Sequence, residues 1–247
     1  MIKTSAAFAS LCFVLGLAAA ATPAVAAERP IVVELFTSEG CSSCPPADAL
    51  LAELATRPDV LALSFHIDYW DRLGWRDPFS SPAATARQRR YARLLGLDNV
   101  YTPQIVVDGR WQAVGSDRAA VENSLAEARD ERAEVPMTLA LDHGQARVGL
   151  GADRNVGPAA IWLIGFDRRH VDAAAGGENE GRTLAHVHVV RGFAEIGRFT
   201  GDASAITAPM PWKSDRVAAI LQAPDGRILG AAVADAGALA GALDHQR

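Results

Sequence analysis

Cys41 and Cys44 stand two residues apart where an apolar run gives way to a turn and then to a helical pattern. Cysteines so spaced can close and reopen a disulfide, and backbone N–H groups and the dipole at a helix start stabilise a thiolate. In such motifs the first thiol's pKa falls from about 8.5 to as low as about 3.5. Cys41 is therefore the expected nucleophile, and Cys44, placed one turn inside the helix, the thiol that resolves a mixed disulfide at Cys41. Two other readings stand beside this one. A staple across four residues contributes only about 1.9 kcal/mol by chain entropy, against about 3 kcal/mol for a fifteen-residue loop. A structural zinc site would need two histidines from elsewhere, whereas copper(I) accepts two soft thiolates, with His66 as a further contact.

The elements around the pair follow from local pattern. Residues 31–36, Ile-Val-Val-Glu-Leu-Phe, read as a buried strand feeding the turn Thr37-Ser38-Glu39-Gly40. Pro45 and Pro46 suit the first turn of a helix, and Ala47, Leu50, Leu51 and Leu54 follow at helical spacing until Pro58. Residues 60–67 read as a second strand, completing a βαβ unit. After the aromatic stretch 68–79, the patterns predict a helix over 82–95, a hairpin turning at Asp108-Gly109, and a helix from an Asp117 cap to about 132. The order is βαβαββα. Beyond Pro136 the period becomes two, with strands over 137–141, 146–150, 159–166, 183–190, 193–199, 217–222 and 228–233. The expected architecture is thus an α/β domain with a mixed sheet, residues 28–133, packed against an all-β, sandwich-like domain, residues 134–247.

Whole-chain properties set the compartment and partners. The 247 residues carry 24 Lys plus Arg against 29 Asp plus Glu, a net charge of −5, which offers no cationic surplus for nucleic acid. Lys3, the apolar run 6–21 and Val25-Ala26-Ala27 make residues 1–27 a secretory signal, and Pro23 argues against a stable membrane anchor. Leu11 before Cys12 argues against a lipoprotein signal. Cleavage near Ala27 removes Lys3 and Cys12, leaving 23 cationic against 29 anionic side chains and only the Cys41–Cys44 pair. The expected location is periplasmic or secreted, where disulfides persist.

Residues 33–46 resemble a thioredoxin-fold active site, and Tyr101-Thr102-Pro103-Gln104-Ile105 resembles that superfamily's Thr-Pro loop. The resemblance implies a thioredoxin-like first domain, a cis Pro103 that positions a substrate strand beside Cys41, and a cysteine-bearing protein or small thiol as partner, with no cofactor. Glu34 stands one position from the superfamily's proton-transfer acid, and is read either as a proton acceptor or as a paired structural acid. Much of the chain also resembles a bacterial secreted family, domain of unknown function family 1223. The stretches that carry this are 34–48, 66–71, 74–79, 87–91 and 177–184. That family implies an architecture rather than a reaction, so a non-catalytic thioredoxin-like interaction module stands as an alternative beside thiol exchange and copper(I) binding.

Weaker features have two readings each. His66, Asp68, Tyr69, Trp70, Trp75 and Thr102 are candidate substrate contacts, while the aromatics also suit packing between the two halves. Arg87, Arg89, Arg90 and Arg93 read as a solvated basic helix face or a receptor for an acidic segment. His186 and His188 share a strand face without further ligand spacing, so no metal site is assigned, and Gly176-Gly177 reads as a hairpin connection rather than a phosphate loop.

Overall fold

The computed structural model describes residues 29–131 and 135–236. The expected signal segment and residues 132–134 of the expected domain boundary lie outside the described residues. In the first half, β1 (Ile31–Thr37), α1 (Pro45–Leu54), β2 (Val60–His66), α2 (Pro82–Leu94), β3 (Gln104–Val107), β4 (Trp111–Val114) and α3 (Arg118–Glu131) follow in the expected order. Each has a local cause. Pro45 and Pro46 open α1, the Ser81 side chain caps α2, and positive φ at Asp108 (46°) and Gly109 (67°) turns β3 into β4.

The second half contains β5 (Met137–Asp142), β6 (Gln145–Leu150), β7 (Ala159–Ala173), β8 (Thr183–Phe199), β9 (Ser204–Pro209), β10 (Arg216–Gln222) and β11 (Ile228–Asp235). It is all-β, and it forms two packed layers. One of those layers, however, is continuous with the first half. The large mixed sheet has the order β11-β10-β7-β8-β2-β1-β3-β4, and a small antiparallel sheet has the order β5-β6-β9. β1 pairs with β2 in parallel and with β3 antiparallel. The halves therefore share a sheet rather than only a contact surface.

The seam is β2 against β8, which pair in parallel at Ser64 and Val189. Beside that pair His188 adopts φ 50° and its Nδ1 donates to Ala62 O at 2.9 Å, so a side chain supplies a bond across the seam. Two expected strands, 183–190 and 193–199, prove to be one. Register shifts against β7 leave Arg191 and Ile196 as extra residues, and a bulge bends a strand without ending it.

Three apolar clusters follow the faces. Ile31, Val33 and Leu35 of β1 pack with α1 and α3, while Val32 and Phe36 face α2 and side chains of β7 and β10. A third cluster lies between the small sheet and β7 and β10. Glu34 shares the face of Val32 and Phe36 and is fully buried, and so is paired. Arg87 of α2, 5% exposed, meets it with two hydrogen bonds, from Nε to Oε2 and from Nη2 to Oε1 at 2.9 Å. Tyr91 Oη donates to Glu34 Oε1 at 2.6 Å, and Gln222 of β10 donates to Tyr91 Oη at 2.8 Å. Arg87 is thus removed from the solvated helix face the sequence suggested. Among the described residues no helix is long and apolar enough to cross a membrane.

Arg87→Ala is expected to lower the unfolding free energy by roughly 3–5 kcal/mol, because Glu34 would be left buried without its partner. Joint replacement of Glu34 by Leu and Arg87 by Met should cost far less. Urea unfolding followed by circular dichroism distinguishes the two.

Candidate functional site

Cys41 and Cys44 form a disulfide with a Cα–Cα separation of 5.5 Å. Both residues are 0% exposed. The turn leading to them is held by Gly40 N donating to Ser38 Oγ at 3.1 Å and Cys41 N to Ser38 O at 3.2 Å. Cys44 N donates to Cys41 O at 3.2 Å, and Cys44 O then accepts from Ala47 N and Asp48 N. Cys44 is the N-cap of α1 rather than a residue one turn inside it. The reason is that Pro45 and Pro46, without N–H groups, fit the two positions whose donors a helix leaves unused.

The segment between α2 and β3 lies against this turn. Its Thr102–Pro103 bond is cis, and Pro103 O accepts from Gly115 N at 2.9 Å. Gln88 of α2 fixes the segment by donating to Tyr101 O at 2.7 Å and Gln104 Oε1 at 3.0 Å. Trp70 Nε1 donates to Thr102 Oγ1 at 2.8 Å, and Thr102 Oγ1 donates to Cys41 Sγ at 3.3 Å. A hydrogen-bond chain therefore ends on the first sulfur. Such a donor stabilises sulfur as an anion.

Next to the turn lies a buried group of acids and imidazoles. His66 Nδ1 is 2.7 Å from Asp77 Oδ2, which also accepts from Glu39 N at 2.8 Å. Trp75 Nε1 donates to Glu39 Oε2 at 2.9 Å, and Thr37 Oγ1 donates to Asp48 Oδ1 at 3.0 Å. His186 of β8 lies between the acids, 3.7 Å from Glu39 Oε1 and 3.8 Å from Asp48 Oδ2, with its ring centroid 4.8 Å from that of His66. Glu39 Oε1, His66 Nε2 and both His186 ring nitrogens lack hydrogen-bond partners among the described residues. Burial pushes the Asp48 carboxyl above the ordinary range. Burial opposes charge on His66 too, but the carboxylates of Asp77, Asp48 and Glu39 together outweigh it and raise His66, while Asp77, despite its burial, is held low by His66 and the N–H groups of Glu39 and Phe79. Among the described residues no group of three or more His, Cys, Asp or Glu side chains is disposed to hold a metal ion.

The loop between β7 and β8 completes the enclosure. Glu178 Oε2 accepts from Ser42 N at 3.0 Å and Ser42 Oγ at 2.6 Å, and Glu178 N donates to Gly40 O at 3.3 Å. Asn179 Nδ2, fully buried, donates to Glu39 O at 2.9 Å and Cys41 O at 2.8 Å. Gly177 has φ 72°, and a Cβ there would sit 2.9 Å from Gly40 Cα, so the approach requires glycine.

Residues 32–222 match the family described as "Protein of unknown function (DUF1223)". The chain belongs to the DUF1223 family. It is also similar to the crystal structure of protein AGR_C_4864 from Agrobacterium tumefaciens. That likeness has 32% identity and a TM-score of 0.72, and covers 82% of this chain and 92% of the other. HBP35 of Porphyromonas gingivalis shares the fold at 16% identity and a TM-score of 0.58, with 84% of this chain and 75% of that one covered. No curated protein matches.

In this DUF1223 chain the residues singled out in the sequence divide into three sets. Cys41, Thr102, Trp70 and Pro103 gather at the disulfide, and His66 and Trp75 belong to the buried group behind it. Asp68 accepts from Thr85 Oγ1 of α2 through its side chain, and Tyr69 packs on the core cluster shared by both halves. Glu34 lies on the face of β1 opposite α1, tied to Arg87. Of Glu39, Asp48, Asp77, His186, Glu178 and Asn179, only His186 stood out by spacing, and then with His188 on a shared strand face rather than with these acids. All but His186 fall within stretches that carry the family resemblance, which was the one available signal.

The His66–Asp77 pair sets a pH dependence. A raised His66 contributes stability fully below its unfolded value near 6.5, lost as pH rises through the folded value; a lowered Asp77 contributes above about 3.8, lost as pH falls. Asp77→Asn should therefore cost most between about pH 4 and 6.5, and less on either side, when urea midpoints are compared across pH.

Proposed function

We propose that the chain is an extracytoplasmic thiol–disulfide oxidoreductase with a thioredoxin-like first half, acting through Cys41 and Cys44. The observation that carries this reading is the disulfide at the start of α1 with the Thr102 hydroxyl on Cys41 Sγ. The strand order β2-β1-β3-β4, with α1 and α3 on one face and α2 on the other, supports the thioredoxin-like assignment. A structural staple is the weaker reading, since a loop this short contributes only about 1.9 kcal/mol.

The chemistry is an exchange between a cysteine-bearing protein, or a small thiol, and the internal disulfide. A substrate thiolate attacks Cys41 Sγ, the S–S bond breaks, and Cys44 Sγ leaves with the electron pair and takes up a proton. The substrate's second thiolate then attacks its own sulfur in the mixed disulfide and expels Cys41. The substrate ends as a disulfide and the protein as a dithiol. The reverse sequence, with Cys44 as the resolving thiol, reduces a substrate disulfide. Export directed by residues 1–27, followed by cleavage near Ala27, would deliver the chain to a compartment where such couples persist.

Thiol exchange by the protein lacking residues 1–27, followed by alkylation and gel shift, tests the proposal. Cys41→Ser should abolish exchange and Cys44→Ala should accumulate a mixed disulfide with the substrate. Exchange undiminished by Cys41→Ser would sink the reading. Thr102→Val should raise the Cys41 thiol pKa in the reduced protein by about 1–2 units, the worth of one hydrogen bond to an anion, as read by thiolate absorbance.

A further inference from the structure

A thiolate attacks a disulfide along the line of the S–S bond and must reach one sulfur. In the closed structure Cys41 and Cys44 are both fully buried. Cys41 Sγ itself is met by the hydroxyls of Thr102 and Ser43, each at 3.3 Å, and the turn that carries it is held by the loop between β7 and β8, the tip of a hairpin whose strands belong to the second half of the chain. Exchange at Cys41 therefore requires that something move.

The loop is built to move as a unit. Its base is closed by its own hydrogen bonds, Ala174 N to Arg182 O at 3.0 Å and Gly181 N to Ala174 O at 2.8 Å, and Arg182 Nη1 holds Asn179 Oδ1 at 2.7 Å. Gly177 and Gly181, at φ 72° and 78°, flank the residues that touch the disulfide turn. On the outer side the anchors are the exposed Glu178 carboxylate on the N–H and hydroxyl of exposed Ser42, and the longer bond from Glu178 N to Gly40 O. On the inner side it is the Asn179 amide on two carbonyls. Trp75 supports the loop from below, since a Cβ added at Gly176 would lie 2.9 Å from Trp75 Cβ.

We propose that the Gly176–Arg182 loop is a gate on the Cys41–Cys44 disulfide, latched by Glu178 on Ser42, and that thiols exchange with Cys41 only when the latch opens. The gate regulates the site of the exchange reading and rests on that reading for its purpose. The latch belongs to the surface, so a partner can release it without unfolding the core. Asn179 docks the loop through the main-chain carbonyls of Glu39 and Cys41 and not through a sulfur.

The test uses dithiothreitol as the probe and follows disulfide opening by alkylation of the released thiols. One dithiothreitol thiolate attacks Cys41, Cys44 leaves, and the second thiol closes the probe into its cyclic disulfide. Glu178→Ala, which loses both bonds to Ser42, should speed this reduction at least about tenfold, the factor by which loss of one hydrogen bond to a charged group shifts an opening equilibrium. Ser42→Ala, which loses only the hydroxyl contact, should speed it less. Glu180→Ala, exposed in the same loop with no contact to the turn, should match the wild-type rate. Glu178→Ala and Ser42→Ala both reacting at the wild-type rate or slower, with unchanged circular dichroism, would overturn the gate. Faster reduction without exchange towards any cysteine-bearing substrate would leave the gate standing and remove the oxidoreductase reading instead.

Discussion

The constraint on which this architecture turns is the buried pairing of Glu34 and Arg87. A carboxylate in the middle of a central strand is tolerable only if a cation arrives with enough hydrogen bonds to replace water. Arg87 does so from α2, surrounded by the rings of Phe65, Tyr91, Trp162 and Phe193. Those residues come from both halves, and Gln222 extends the network to β10. Placing one guanidinium correctly thus fixes α2 against the sheet and the second half against the first. The same helix carries Gln88, which holds the Thr102–Pro103 segment, so the alignment of Thr102 with Cys41 depends on it.

The second half is consequently part of the site. β8 supplies His186 to the buried acids and, with β7, carries Glu178 and Asn179 over the cysteine turn. The first half supplies the sulfurs and the segment that faces them. Each of the two contributions is rigid at its base, because β7 and β8 are bonded along almost their full length and α1 is packed into a closed apolar cluster. The movement proposed for the gate is thereby confined to the loop tip, which hydrogen bonds hold to the cysteine turn.

Sequence was informative wherever the cause was local. The Cys41–Cys44 spacing, the prolines opening α1, the Asp108-Gly109 turn and the period-two runs of the second half all act within a few residues, and the elements they predict are present, with two expected strands joined as β8 and with β9 outside every expected run. What escaped depends on pairing across the chain. Arg87 looks like any arginine on a basic helix until Glu34 is brought beneath it, and Arg191 looks like the end of a strand until β7 shows it to be a bulge. Glu178 lies 136 residues from Ser42, a separation no periodicity can register. The shared sheet was hidden for a similar reason, since the seam rests on few bonds and one of them comes from the His188 ring.

That seam has a consequence for how such a chain can be divided. β2 has β1 on one side and β8 on the other, so it is an interior strand. A fragment ending near residue 131 would strip β8 from it and leave an edge strand, with the main chain at Ser64 and the Ala62 carbonyl losing their partners, which is a template for aggregation. The apolar face around Phe36 and Phe65 would be uncovered with it. The unit that can be inherited, swapped or expressed intact is therefore the whole pair of halves.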